Sequence, residues 1–246
     1  MSRFSAKVSS RFLHCQVFWK VCMSEVREGG LRERILARAL ELYNEEGIEY
    51  VGVRELARDL GVQAGNISYH FPTKDDIVLA IGLQLRELND ATVRLPPHPS
   101  LLGFMEMMRQ VFRNHHEFRC LFLSLPKLFI QNPALADVYV GDREVDRRQV
   151  IVDYLRGLSQ AGLLRADLGP PQLRRLASFC ALVARGWIGD GWVSYPDASP
   201  EWRMAHYLHI VVDHFAGYTT PAGLEELEAF RSRLSPAPDP LRRFHG

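Results

Sequence analysis

Apolar positions recur along this chain at three- and four-residue intervals almost from end to end, and no stretch keeps the two-residue alternation of a strand. The pattern predicts an all-α protein. From Leu31, the residues Ile35, Leu36, Ala39, Leu40, Leu42 and Tyr43 mark one face of a helix that Gly47 stops. Val53, Leu56, Ala57 and Leu60 mark a second, short helix ended by Gly61. A third short helix is expected over Val62 to Phe71, with Val62, Ile67 and Phe71 as its apolar positions. Pro72 breaks it, and Thr73 is placed to cap a fourth helix from Lys74 to Val93, with Asp75 and Asp76 in its first turn.

Pro96, Pro97 and Pro99 then interrupt the pattern and predict a domain boundary. Further helices are expected near 101–115, 117–130, 134–162, 171–194, 201–218 and 223–234, separated by proline-containing breaks. The organisation expected is a disordered N-terminal extension over 1–30, a small helical domain with its linking helix over 31–95, a larger helical domain over 99–234, and a disordered tail over 235–246.

Two short helices joined by a Gly-containing turn are the mark of a helix-turn-helix, whose second helix lies in the major groove of DNA. The residue types suit that use. Val62, Ile67 and Phe71 face inward, leaving Gln63, Ala64, Gly65, Asn66, Ser68 and Tyr69 to approach a duplex. Ala64 and Gly65 are small enough for the backbone to come close, and Asn66 or Gln63 has the amide that pairs with a base edge.

Charge neither supports nor forbids this reading. The net charge is +1, but Arg3, Lys7, Arg11 and Lys20 stand in an acid-free N-terminal stretch, which leaves the rest of the chain at −3. Affinity for phosphate must therefore come from local placement of Arg32, Arg34, Arg38, Arg54, Arg58 and Lys74, among which Glu55, Asp59, Asp75 and Asp76 are interspersed. Cys15, Cys22, Cys120 and Cys180 lack the paired spacing of a zinc ribbon and the density of a secreted disulfide scaffold, so free thiols in the cytoplasm are expected. No apolar run approaches the roughly 18 residues of a membrane span.

The run from Arg34 to Ile77, including ALELYNEEGIEYVGVRELARDLGVQAGNISYHFPTKDDI, resembles the DNA-binding domain of the tetracycline-repressor (TetR) family. Its features are an A-x-x-L-F/Y segment, an E-x-G, an I/L-A-x-x-x-G-V and a closing L-Y-x-H-F-x-x-K. The resemblance implies DNA contacts at Arg54 and at Ala64, Gly65, Asn66, Ser68 and Tyr69, with His70 and Lys74 near phosphates. It departs from the family at Ser68, where a tyrosine is usual; Tyr69 then stands as the substitute.

The resemblance also implies that the larger domain binds a small effector and forms a homodimer, so that two recognition helices reach successive major grooves roughly 34–36 Å apart on a palindromic operator. Phe104, Met105, Met108, Phe112, Phe122, Phe129 and Trp187 are candidates to line a cavity for a small hydrophobic effector, although the same residues suit a plain core. Phe179, Val183, Leu208, Val211 and Phe215 are candidates for a dimer face formed by two late helices. The expected outcome is a ligand-released repressor in which the fourth helix is the lever. His206, His209 and His214, and the His115–His116 pair, lack companions at ligand spacing, so neither a metal nor a cofactor is expected. The chain has no phosphate-binding glycine loop, no G-x-S-x-G and no HExxH, which argues against an enzyme.

Overall fold

The computed structural model describes residues 30–93, 98–140 and 142–234. Cys15 and Cys22, all but Gly30 of the expected extension over 1–30, and the expected tail over 235–246 lie outside the described residues. Among the described residues every regular element is a helix, and the two-residue contact Leu164–Thr219 is the sole β-bridge. The chain divides into two compact units, one ending at Ile81 and one beginning at Gly82.

The first unit holds α1 (Leu31–Glu46), α2 (Val53–Leu60), α3 (Ala64–His70) and the first half of α4 (Lys74–Thr92). Helix α1 buries the six residues its periodicity marks, Ile35, Leu36, Ala39, Leu40, Leu42 and Tyr43. Between α2 and α3, Gly61 adopts φ 66°, a left-handed conformation that costs little without a Cβ. Its N–H and that of Val62 turn back to the Arg58 and Ala57 carbonyls at 3.2 and 3.0 Å, which closes α2 and starts α3 at once. Helix α3 is shorter than expected because Val62 and Gln63 form this turn. Thr73 caps α4 as the sequence suggests: its Oγ1 accepts from the Asp76 N–H at 3.2 Å, and the Asp76 carboxylate accepts from the Thr73 N–H at 2.8 Å.

The boundary between the units falls inside α4. In the first unit Lys74 of α4 lies over the Tyr43 ring of α1, at 5.8 Å from its centroid. In the second unit Asn89 of α4 is bonded into the core. Each half of the helix therefore has a separate packing partner.

The second unit continues through α5 (Leu101–Glu117), α6 (Arg119–Leu123), α7 (Leu125–Gln131), α8 (Pro133–Val140), α9 (Asp142–Gln160), α10 (Pro170–Ser194), α11 (Pro200–Ala216) and α12 (Pro221–Arg231). Helix α5 packs against α6, α10, α11 and α12. Its Phe104 meets Phe215 at 5.6 Å, and its Phe112 stacks on Trp187 at 5.4 Å with 5° between the ring planes. The helix expected over 117–130 is two, broken at Ser124; Pro126 falls in the first turn of α7, where its missing N–H costs nothing. The helix expected over 134–162 is likewise two, α8 and α9. At the start of α12, Gly223 approaches the chain so closely that a Cβ would lie 2.0 Å from the Leu163 carbonyl oxygen. Cys120 and Cys180 are buried, and burial pushes both thiols up to about 12, so neither forms a reactive thiolate near neutral pH.

Candidate nucleic-acid interface

Helix α3 is seven residues long and has two unlike sides. Ile67 is fully buried, and Phe71, which follows the helix, is 3% exposed. Gln63, Gly65, Asn66, Ser68 and Tyr69 are exposed, while Ala64 and His70 are half-buried. Tyr69 stands out most, at 85% exposure, with its ring edge against His70 at 5.3 Å. The exposed ring and the buried Ile67 make the short helix two-sided. A Cβ built on Gly65 would touch nothing within 4 Å, so the glycine is not demanded by packing within the protein.

The basic residues around this helix separate into two groups. Arg38 on α1 is committed within the protein: it donates to Glu41 at 2.7 Å and holds Asp59 of α2 through two bonds, Nη2 to Oδ1 at 3.0 Å and Nε to Oδ2. The hydrogen bond to Asp59, more than that to Glu41, raises the Arg38 pKa further above its ordinary value, and Arg38 in turn lowers that of Asp59. This ion pair fixes α1 to α2. Arg58 lies 3.7 Å from Glu55, an exposed pairing of small energetic weight. Glu55 also accepts from the Gly52 N–H at 3.0 Å at the start of α2, and bonds to backbone N–H groups hold its carboxyl below the usual range.

Arg54, at the start of α2, and Arg34 are exposed. Lys74 is half-buried, and Arg32 lies 5.1 Å from the centroid of the Phe71 ring, where cation and aromatic face attract. Tyr50 was not singled out by periodicity. It is 80% exposed in the loop before α2, and the signal for it was an aromatic residue outside any apolar stripe.

The second unit holds a half-open cavity of about 100 Å³. Much of its wall is apolar, including Leu85, Met107, Met108, Val111, Ala177 and Ala184; Asn89, His115 and the arginines Arg86, Arg147, Arg148 and Arg185 supply its polar groups. Of the seven residues expected at an effector site, Met108 alone lines it. Phe104, Met105 and Phe112 are wholly buried in packing around α5, and Phe122 stacks on His115 at 4.2 Å. Phe129 is half-buried on α7. Trp187 lines a different cavity of about 190 Å³, with Trp192, Arg119 and Arg203. Core packing has thus taken most of the large apolar side chains, and the cavity is bounded by the smaller residues between them.

A chain of polar groups crosses this core beside the cavity. Nδ1 of His115 donates to the Ala184 carbonyl at 2.7 Å, which leaves Nε2 to accept from the Asn89 amide at 3.2 Å. Asn114 donates to Asn89 Oδ1 at 3.1 Å and to Thr92 Oγ1 at 2.9 Å. Burial pushes the His115 pKa down to about 4, and the nearby Arg185 and Arg147 act in the same direction against the bond to Ala184. The ring is neutral at neutral pH.

Of the expected dimer residues, Leu208, Val211 and Phe215 are buried in the unit's own core, because α11 turns that stripe toward α5 and α10. Phe179 and Val183 are half-buried. Exposed apolar surface lies instead at Leu182 and Val193 on α10, at 65% and 82%, and at Ile210 on α11. Among the described residues no three His, Cys, Asp or Glu side chains are grouped to hold a metal ion, and no helix is long and apolar enough to cross a membrane.

Residues 35–81 match the profile of the bacterial regulatory proteins of the tetR family, and residues 85–227 match a second profile described as bacterial transcriptional repressor. The chain belongs to the TetR family. It is a DNA-binding transcriptional regulator, and the proteins it resembles are regulators and not enzymes. Among TetR-family relatives, the transcriptional repressor KstR2 of Mycobacterium tuberculosis H37Rv is 24% identical over 168 residues, covering 65% of this chain and 82% of KstR2. The regulator UidR of Escherichia coli K12 is 24% identical over 149 residues, covering 59% of this chain and 74% of UidR. A TetR-family regulator from Marinobacter aquaeolei VT8 has the same fold, with a TM-score of 0.75 and 24% identity over 85% of this chain and all of that one.

Proposed function

We propose that this TetR-family protein works in the cytoplasm as a homodimeric repressor that binds a palindromic operator through α3 and releases it when a small, largely apolar effector enters the second unit. The observation that carries the reading is the two-sidedness of α3, with Ile67 fully buried and Tyr69 85% exposed on the same short helix. Asn66 and Gln63 read base edges, Gly65 and Ala64 permit close approach, and Tyr69 takes the place of the usual tyrosine at Ser68. Arg54, His70 and Lys74 hold phosphates, which set register without reading sequence.

The dimer forms on the exposed side of α10 and α11, where Leu182, Val193 and Ile210 are unsheltered and Phe179 and Val183 lie half-buried. An effector in the cavity among α4, α5, α9 and α10 acts through the second half of α4, which carries Asn89 into the core. Differential affinity of about 1.4 kcal/mol between two conformations is enough to change operator occupancy tenfold.

The test is selection of bound sequences from random duplex DNA, followed by gel shift. A two-fold symmetric sequence is expected to emerge. Asn66→Ala should cost about 1–3 kcal/mol and relax preference at one position in each half-site. Failure of the purified protein to enrich any symmetric duplex at low salt would overturn the reading.

A further inference from the structure

The arginines beside the cavity in the second unit are not equivalent. Arg147 lies 3.4 Å from Asp90, and Arg148 and Arg185 engage other groups as well. Arg86, on α4, differs in that among the described residues it forms no ion pair; it is half-buried, and its Nε is buried without a hydrogen-bond partner. No Asp or Glu is among the residues that line the cavity.

We propose that this cavity binds an anionic amphiphile, a small carboxylate with an apolar tail, and that Arg86 receives the carboxylate. The proposal rests on the effector reading above and gives it a ligand class. A buried guanidinium N–H without an acceptor is costly, and a carboxylate is the group whose two oxygens match the planar fork. The tail has a matching wall in Leu85, Met107, Met108, Val111 and Ala177. The two unbranched thioether side chains adapt to shape, so a cavity of about 100 Å³ widens without loss of apolar contact.

The surroundings exclude the alternatives. His115 stays neutral beside Arg185 and Arg147, so the cavity wall carries cations and no anion of its own among the described residues. An ammonium head would meet like charge, and a hydroxyl head would leave Arg86 without a counter-ion. Arg86 also lies one helical turn before Asn89, the α4 residue tied to His115. A head group held at Arg86 therefore pulls on the stretch of α4 that the polar chain fixes to α5 and α10, which links occupancy to the position of that helix.

The experiment titrates the full chain with octanoate, 1-octanol and octylamine by calorimetry. Octanoate should bind at least about tenfold more tightly than 1-octanol, with octylamine weaker than both. Arg86→Met should bring octanoate and 1-octanol to within about threefold, and Arg86→Lys should keep part of the preference because the charge remains. Equal affinities, preference for the amine, no binding of any of the three, or an undiminished preference in Arg86→Met would overturn the proposal. The ranking on the unaltered protein tests the charge requirement even if a variant fails to fold. Gel shift on the same samples separates the two readings. Arg86-dependent octanoate binding that leaves operator affinity unchanged removes the effector reading alone. Operator release by 1-octanol or octylamine as effective as that by octanoate removes the anion proposal alone.

Discussion

The Asn89 amide on α4 donates to His115 Nε2 on α5 at 3.2 Å, an arrangement that requires the imidazole to be neutral. In the folded protein His115 holds no proton until about pH 4, whereas in the unfolded chain it gains one below about 6.5. Between these values the unfolded state binds more protons, so stability falls as pH falls. The loss from this residue should be on the order of 2 kcal/mol by pH 5. His115→Gln should flatten the difference in Tm between pH 7.5 and pH 5, although His116, His206 and His214, also shifted down by burial, leave a residue of the same sign. A full-size pH response in the variant would remove His115 as its source.

Gly65→Ala separates folding from DNA binding. The new methyl meets nothing within 4 Å in the protein, and alanine is the better helix former, so stability should rise by up to about 1 kcal/mol. Operator affinity should fall at the same time, because the methyl stands between α3 and the groove. Thermal melting and gel shift on one preparation decide it, and unchanged operator affinity would count against close approach at this position.

At Gly223 the expected result is the reverse. A Cβ there would lie 2.0 Å from the Leu163 carbonyl oxygen and 3.2 Å from Thr219 Cβ, and the first of these is backbone. Gly223→Ala should cost about 1–3 kcal/mol through displacement of α12. Denaturant unfolding measures this directly, and a loss within error would mean that the α12 start shifts freely.

Leu182 is 65% exposed, so Leu182→Glu should leave the fold of one chain intact. If α10 and α11 form the interface between two copies, the variant should elute as a monomer on size-exclusion chromatography with light scattering and lose most operator affinity. A dimer of unchanged stability would place the interface elsewhere.

Much of this was legible in the sequence. Gly47, Gly61 and Thr73 punctuate the first unit so strongly that α1, α2 and α4 begin and end almost where periodicity puts them. The same periodicity separates buried Ile67 from exposed Asn66 and Ser68. It fails in the second unit for a physical reason: a helix surrounded by other helices is apolar on more than one side. Spacing alone does not tell whether Leu208 and Phe215 face their own core or a partner, nor whether Phe112 lines a cavity or fills one. The lone guanidinium of Arg86 had no sequence signal, since its isolation depends on which acids the fold brings near.

The bonds from Arg38 to Asp59 and Glu41 bear on how this protein responds to ionic strength. A cation already matched by carboxylates displaces few condensed counterions from a duplex, so it adds little to the slope of log affinity against log salt, about 0.9 per phosphate neutralised. That slope should report Arg54, Lys74 and their neighbours while Arg38 stays silent. Removing the Arg38 side chain would then be felt as a softer α1–α2 junction, not as a weaker ionic grip.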